Sequence, residues 1–372
     1  MSDITLYGSS LSLFTGRARS YLIKSGLAYR ETLPVSEHYT EQVLPKMGGR
    51  RSIPVIETEG GEVIRDGAAI IDHYEALNRY FFSPTTAKQK VLSLLFDVIG
   101  TEGLLRPAMH YRWNFPEENL DFLSFHFECF IPSHMDKKQM AQKQMNRMRN
   151  AGENFGAVPA TFELVESLYV SLMEKLDQHF SQHPYLLGNK PSIGDFGLIA
   201  PLFGHLGRDP KSIRLMQTKA IRLYRWVERM NRPEPDIGEF DREEEDYLPG
   251  DEIPQSLVEV LKHIAIDFIP ETRAAAETIN DWLQHNKSME PNTIAERHVG
   301  IASFEVEGTT INAIAQPYRF YLLGRVQNYV DSLTGNDKEN VLELLQSCGM
   351  SELMRLRISR EIGRHDNREV WL

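Results

Sequence analysis

The period of the hydrophobic pattern changes several times within the first eighty residues. Ile4 to Tyr7 (ITLY) is a short apolar run bounded by Gly8-Ser9-Ser10, which predicts a strand. Apolar residues over 14–27 recur at helical spacing, punctuated by Gly26. Residues 29–35 mix polar and apolar positions in an extended manner and predict a second strand. Two further runs, 55–58 and 62–64, flank Glu59-Gly60-Gly61 and predict a hairpin. Residues 66–80 then return to helical spacing. This order describes a compact mixed α/β domain over residues 1–82.

Past Phe82-Ser83-Pro84 the pattern becomes helical, over 87–113, 141–149, 161–180 and 195–203. Strand signals are scarce there, so residues 85–235 read as an all-helical domain. Ser192-Ile-Gly-Asp195 has the spacing of a capping box, with Pro191 and Phe196 placed for a hydrophobic staple. The acidic stretch DIGEFDREEEDYLPGDE, 236–252, predicts a linker or surface loop. Helical stretches follow over 254–268 and 270–284. A hairpin pattern over 300–315 turns at Glu307-Gly308, and a helix over 318–332 and a helical tail complete the chain. Residues 236–372 thus read as an appended, mostly helical α+β region.

Composition narrows the partners. A chain of 372 residues with 41% apolar and 25% charged positions has ample material for more than one core. Its net charge of −11 argues against nucleic acid or an anionic membrane as partner. The two cysteines, Cys129 and Cys348, lie far apart without a CxxC, so no zinc site is expected, and Cys129 reads as buried filler. The N-terminal stretch lacks a signal-peptide pattern and no apolar run spans a bilayer. A cytoplasmic, metal-free protein is expected.

The chemistry concentrates in SIPVIETEGGEVIRDGAAI, 52–70. A proline opening a strand beside a cleft suits a cis Ile53–Pro54 bond, which turns the backbone of Ile53 toward a bound peptide. Asp66 stands at the mouth of the next helix, where an acid binds an ammonium and free amides receive a carboxylate. Together these features suit a small zwitterionic peptide.

With these residues in view, the sequence resembles the glutathione transferase family. The resemblance is carried by Leu6-Tyr7, by Ser12-Leu-Phe-Thr15-Gly-Arg-Ala-Arg19, by Ser52-Ile53-Pro54-Val55 and by Asp66-Gly-Ala-Ala-Ile70. Leu186-Leu-Gly followed by Ser192-Ile-Gly-Asp195-Phe extends it into the second domain. It covers roughly residues 3–235 and implies a thioredoxin-like domain binding glutathione, an all-helical domain supplying a site for a hydrophobic electrophile, and a homodimer. Within it Ser12 falls at the catalytic position of the serine- and cysteine-type members. A hydroxyl there would donate to the sulfur at a helix N-terminus and favour the thiolate; the alternative is that Ser12 only caps the helix. Ile53 and Pro54 would meet the cysteinyl part of glutathione, and Asp66 its glutamyl end. Gly67 would offer its backbone amide to the same end, but it departs from the family's usual Ser or Thr, a missing hydrogen bond to a charged group worth about 1.5–3 kcal/mol.

Arg106, His110 and Trp113 share one helical face, which either lines the co-substrate cleft or packs between helices. Tyr318, Tyr321 and Arg325 form another, which either crosses the cleft or packs in the core. Three functions are in view. The first is a transferase that detoxifies by adding glutathione to, or reducing, an electrophile. The others are a non-catalytic scaffold with a weakened site and a narrow glutathione-dependent lyase or isomerase.

Overall fold

A computed structural model of the chain describes residues 4–233, 239–240 and 246–372. Residues 236–238 and 241–245 of the acidic stretch, and the boundary expected at 235/236, lie outside the described residues.

The first domain is built as β1 (Ile4–Tyr7), α1 (Leu13–Lys24), β2 (Tyr29–Thr32), a short α2 (Leu44–Lys46), β3 (Val55–Glu57), β4 (Val63–Arg65) and α3 (Gly67–Leu77). The sheet order is β2-β1-β3-β4, with β1 parallel to β2 and the other pairs antiparallel. This mixed sheet is the thioredoxin-like arrangement that the resemblance implies. Tyr7 is buried, its hydroxyl donating to Glu57 at 2.9 Å.

The helical domain runs through α4 (Ala87–Val98), α5 (Leu105–Trp113), α6 (Pro116–Cys129), α7 (Lys137–Glu153), α8 (Phe162–Phe180), α9 (Ile193–Gly204), α10 (Pro210–Lys219) and α11 (Ile221–Met230). Helix α9 is apolar on all sides, as befits a helix enclosed by others, and packs against α1 and α4. The capping box at its start forms. Buried Asp195 accepts from the Ser192 amide at 2.8 Å, the Leu186 amide at 3.1 Å and the Trp226 indole at 3.1 Å. The single helix expected over 87–113 is broken by a π-turn at Ile99–Gly103. Gly100 explains its rigidity: a Cβ there would lie 2.2 Å from the Gly197 carbonyl carbon, so two backbones touch where α9 crosses the turn.

The appended region contains α12 (Gln255–His285), β5 (Thr293–Ile294), β6 (Ile301–Val306), β7 (Thr309–Ile314), α13 (Pro317–Ser332), α14 (Gly335–Ser347), β8 (Ile362–His365) and β9 (Arg368–Trp371). The hairpin at Glu307-Gly308 forms, with Val306 opposite Thr309. Two expectations are corrected. The helices over 254–268 and 270–284 are one helix, with Pro270 inside it. Ile266, whose carbonyl loses its bond to the proline, lies on the exposed side, and buried residues on both halves hold the helix continuous. The tail is also not wholly helical, for β8 and β9 form a hairpin. In the second domain Cys129 is exposed, not buried as expected.

That C-terminal hairpin turns at Asp366-Asn367, both at positive φ (45° and 61°), as a two-residue hairpin loop demands. Its tip clips the free edge of the first sheet. Asn367 accepts from the Arg65 amide at 3.1 Å and donates to the Val63 carbonyl at 2.8 Å and the Lys46 carbonyl at 3.2 Å. The exposed edge of β4 is thereby covered by the chain's own terminus. Asn367→Gly keeps the backbone freedom but removes these three bonds. Urea denaturation is expected to show a loss of about 1–2 kcal/mol; an unchanged midpoint would show that the clip contributes nothing.

Candidate active site

The site begins with one strained residue. Asp66, between β4 and α3, has φ +89° and ψ 138°, a region costing a non-glycine residue about 1–3 kcal/mol. Its amide donates to the Pro54 carbonyl at 3.0 Å, which ties it to the turn before β3. Its Oδ1 accepts from the Ala68 and Ala69 amides at 3.0 and 3.3 Å and caps α3. From the appended region, the Tyr318 hydroxyl lies 2.9 Å from both carboxylate oxygens and donates to the carboxylate. Arg364 stands 3.8 Å away. Burial pushes the Asp66 carboxyl up, but Arg364, Arg17, Arg65 and the Tyr318 hydroxyl outweigh it and hold it below the usual carboxylate range.

The Ile53–Pro54 bond is cis. Ile53, Pro54 and Asp66 line one side of a cleft of about 190 Å³. Among the described residues the N–H and C=O of Ile53 have no hydrogen-bond partner. Across the cleft stand Glu296, Arg297 and Tyr318, and the helical domain contributes Glu102. Both signs of charge reach this space. Glu369 on β9 gathers Arg65 at 2.5 Å, Arg50 at 2.8 Å and Arg364 at 2.7 Å, and it lines the cleft together with Arg50 and Arg65.

Gly67 is buried beside this space without lining it. A Cβ at Gly67 would lie 3.2 Å from Cδ of Arg17, so the buried arginine occupies the room a family hydroxyl would need. Arg17 is held there by its ion pair with Asp97 and a 3.0 Å bond to Thr101. Ser12 caps α1, its Oγ accepting from the Thr15 amide at 3.2 Å. It is not among the residues that line the cleft.

Arg106, His110 and Trp113 have separate surroundings. Arg106 is buried against α12, paired with Asp267 at 2.5 Å and Glu271 at 3.2 Å, beside a small cavity of about 40 Å³. His110 is fully buried and bonded to Glu166 at 3.0 Å and Asn114 at 3.0 Å. Burial lowers its pKa, partly offset by Glu166. Trp113 packs among Phe127, Met109 and Met145. None of the three lines the cleft that contains Ile53 and Asp66.

Residues that the sequence reading passed over complete the site: Arg17, Glu102, Arg50, Arg65 and Glu369. Glu102 had a signal, since Gly100 and Gly103 punctuate the helical run that contains it. It is 3% exposed and its Oε2 has no hydrogen-bond partner among the described residues. Burial, reinforced by Glu271 and Asp66 and only partly offset by Arg319 and Arg17, pushes its pKa up to about 8.

This architecture is matched by two family models. The glutathione S-transferase N-terminal domain matches residues 6–79, and the glutathione S-transferase C-terminal domain matches residues 159–234. These two stretches match domains of the glutathione S-transferase family, which uses glutathione as co-substrate. The two matches support a glutathione transferase-like function in general.

Among solved structures, a Tau class glutathione S-transferase from mango, Mangifera indica, is 16% identical, with 62% of this chain and 88% of that one covered at a TM-score of 0.33. A beta-etherase from Sphingobium sp. strain SYK-6 is 16% identical over 62% and 95%, at 0.38. A glutathione transferase from Phanerochaete chrysosporium in complex with oxidized glutathione is 14% identical over 62% and 90%, at 0.34. At such TM-scores the family assignment rests on the two domain models. No curated protein matches the chain. Among the described residues, no helix is long and apolar enough to cross a membrane.

Glu102 makes a stability prediction. A glutamate normally ionises near about 4.3, so between there and about 8 the unfolded chain gives up a proton that the folded chain keeps. Its stabilising contribution is therefore full below the lower value and lost as pH rises through the upper one. Glu102→Gln removes this dependence. Thermal melts are expected to show the variant's advantage over wild type growing from about pH 5 to about pH 8, and a constant difference would contradict the burial argument.

Proposed function

We propose that the cleft binds glutathione and that the protein activates its thiol for attack on, or reduction of, a hydrophobic electrophile. The observation that carries this reading is the free backbone pair of Ile53 in a cleft lined by charges of both signs. An extended peptide needs one donor and one acceptor from such a pair, as an added strand does. Glutathione carries two carboxylates and one ammonium. Arg297 and the Arg50–Arg65 pair offer cations for the carboxylates, and Glu296 offers an acid for the ammonium. Asp66 is less available, since Tyr318 donates to it and three arginines surround it. The ammonium would therefore sit nearer Glu296 than the family pattern implies.

Arg297 tests this without disturbing the fold, because it is exposed and its side chain makes no hydrogen bond or ion pair among the described residues. Millimolar glutathione is expected to raise the melting temperature of wild type saturably. Arg297→Ala is expected to weaken that binding about tenfold, the loss of one hydrogen bond to a charged group, while leaving the melt of the free protein unchanged. No shift with wild type would overturn the reading and leave a non-catalytic scaffold.

A further inference from the structure

Glu102 is a buried acid in the lining of the cleft, with one carboxyl oxygen unpartnered among the described residues. The π-turn that holds it interrupts α4–α5, and π-turns inside helices recur at functional sites. The Gly100–Gly197 backbone contact fixes that turn against α9. Within it, Thr101 accepts from Arg17 and the Glu102 carbonyl accepts from Arg319 at 3.1 Å. The Glu102 side chain is left buried in the lining of the cleft, beside Phe14, Pro54 and Asp66.

Resting on the glutathione reading, we propose that the Glu102 carboxyl faces the sulfur of the bound thiol and donates the hydrogen bond that stabilises the thiolate. The Tyr318 hydroxyl already donates to Asp66, and Ser12 caps α1 outside the lining. Ser52 accepts from Arg65 at 3.4 Å and keeps its own O–H, so among the lining hydroxyls it alone competes with Glu102 as a donor. Glu102 has an oxygen without a partner.

The charged groups that face it come from every side. Arg17 reaches it from α1, Asp66 from the start of α3, and Glu271 and Arg319 from α12 and α13. Both arginines are engaged elsewhere: Arg17 with Asp97, and Arg319 with Glu271 at 3.1 Å and Thr272 at 3.0 Å. Neither is spared to hold a Glu102 carboxylate, so the group stays a neutral acid and acts as a donor. A carboxylic acid kept neutral by burial is an effective donor to a developing anion.

The proton count is simple. The thiol gives its proton to solvent and becomes a thiolate; Glu102 keeps its own proton, and no bond to Glu102 forms or breaks. Above the range in which Glu102 ionises, the donor becomes an anion and repels the sulfur.

The experiment titrates the ultraviolet absorbance of bound glutathione thiolate against pH, with binding measured separately by calorimetry. It uses the full chain as wild type, Glu102→Leu, Glu102→Gln and Ser12→Ala. Glu102→Leu is expected to cut the bound thiolate at neutral pH about tenfold, the loss of one hydrogen bond to a charged group. Glu102→Gln, whose amide still donates and cannot ionise, should keep the thiolate at neutral pH and lose the decline at high pH. Ser12→Ala should match wild type. Should Glu102→Leu fail to fold, the high-pH limb of Glu102→Gln decides alone. A thiolate titration unchanged in the Glu102 variants, or lost in Ser12→Ala, overturns the assignment while glutathione binding stands. Absence of binding by wild type overturns the glutathione reading and this assignment with it.

Discussion

One carboxylate ties the first domain of this molecule to its appended region. Asp66 adopts a backbone conformation that is costly for any residue but glycine. The cost is offset only because partners converge on it: a carbonyl from the turn before β3, two amides of α3, and a tyrosine from a helix 252 residues further on. The ring of Arg17, Arg65 and Arg364 keeps it ionised. The appended region is thus anchored in the site itself, at the acid where the family resemblance places the ligand's glutamyl end.

That anchoring changes what the cleft is. Its far side is built from Glu296, Arg297 and Tyr318, none of which belongs to the two matched domains. Glu369 then neutralises arginines from two domains at once, so the cleft contains several cations in a chain whose net charge is −11. Such a buried network costs desolvation energy, and its return is geometric: it fixes where β9 lies over β4. The lining of the cleft and the docking of the terminal hairpin share the same side chains.

The sequence made local features legible and left tertiary ones hidden. ITLY, the Gly60-Gly61 hairpin, the Ser192–Asp195 box and the Glu307-Gly308 turn each depend on neighbours a few residues away, and each forms. The break at Ile99–Gly103 depends on Gly197, nearly a hundred residues distant, so the periodic run 87–113 hid it. Pro270 read as a helix end, because a proline's local penalty is visible and the packing that overrides it is not. The last hairpin had a turn signal in Asp366-Asn367, masked by charged flanks that carry little alternation. The cis Ile53–Pro54 bond and the place of Asp66 at the mouth of α3 were legible because such backbone roles are written in residue type. Arg17 and Glu102 were missed because burial, which gives each its chemistry, has no local signature.

The most direct measurement is the difference density in crystals of the full chain soaked with glutathione. The account requires the peptide between Ile53 and Arg297, its sulfur at Glu102, and the Tyr318 hydroxyl still on Asp66. A peptide bound with its ammonium on Asp66 and Tyr318 displaced would contradict it, and so would an empty cleft at saturating ligand.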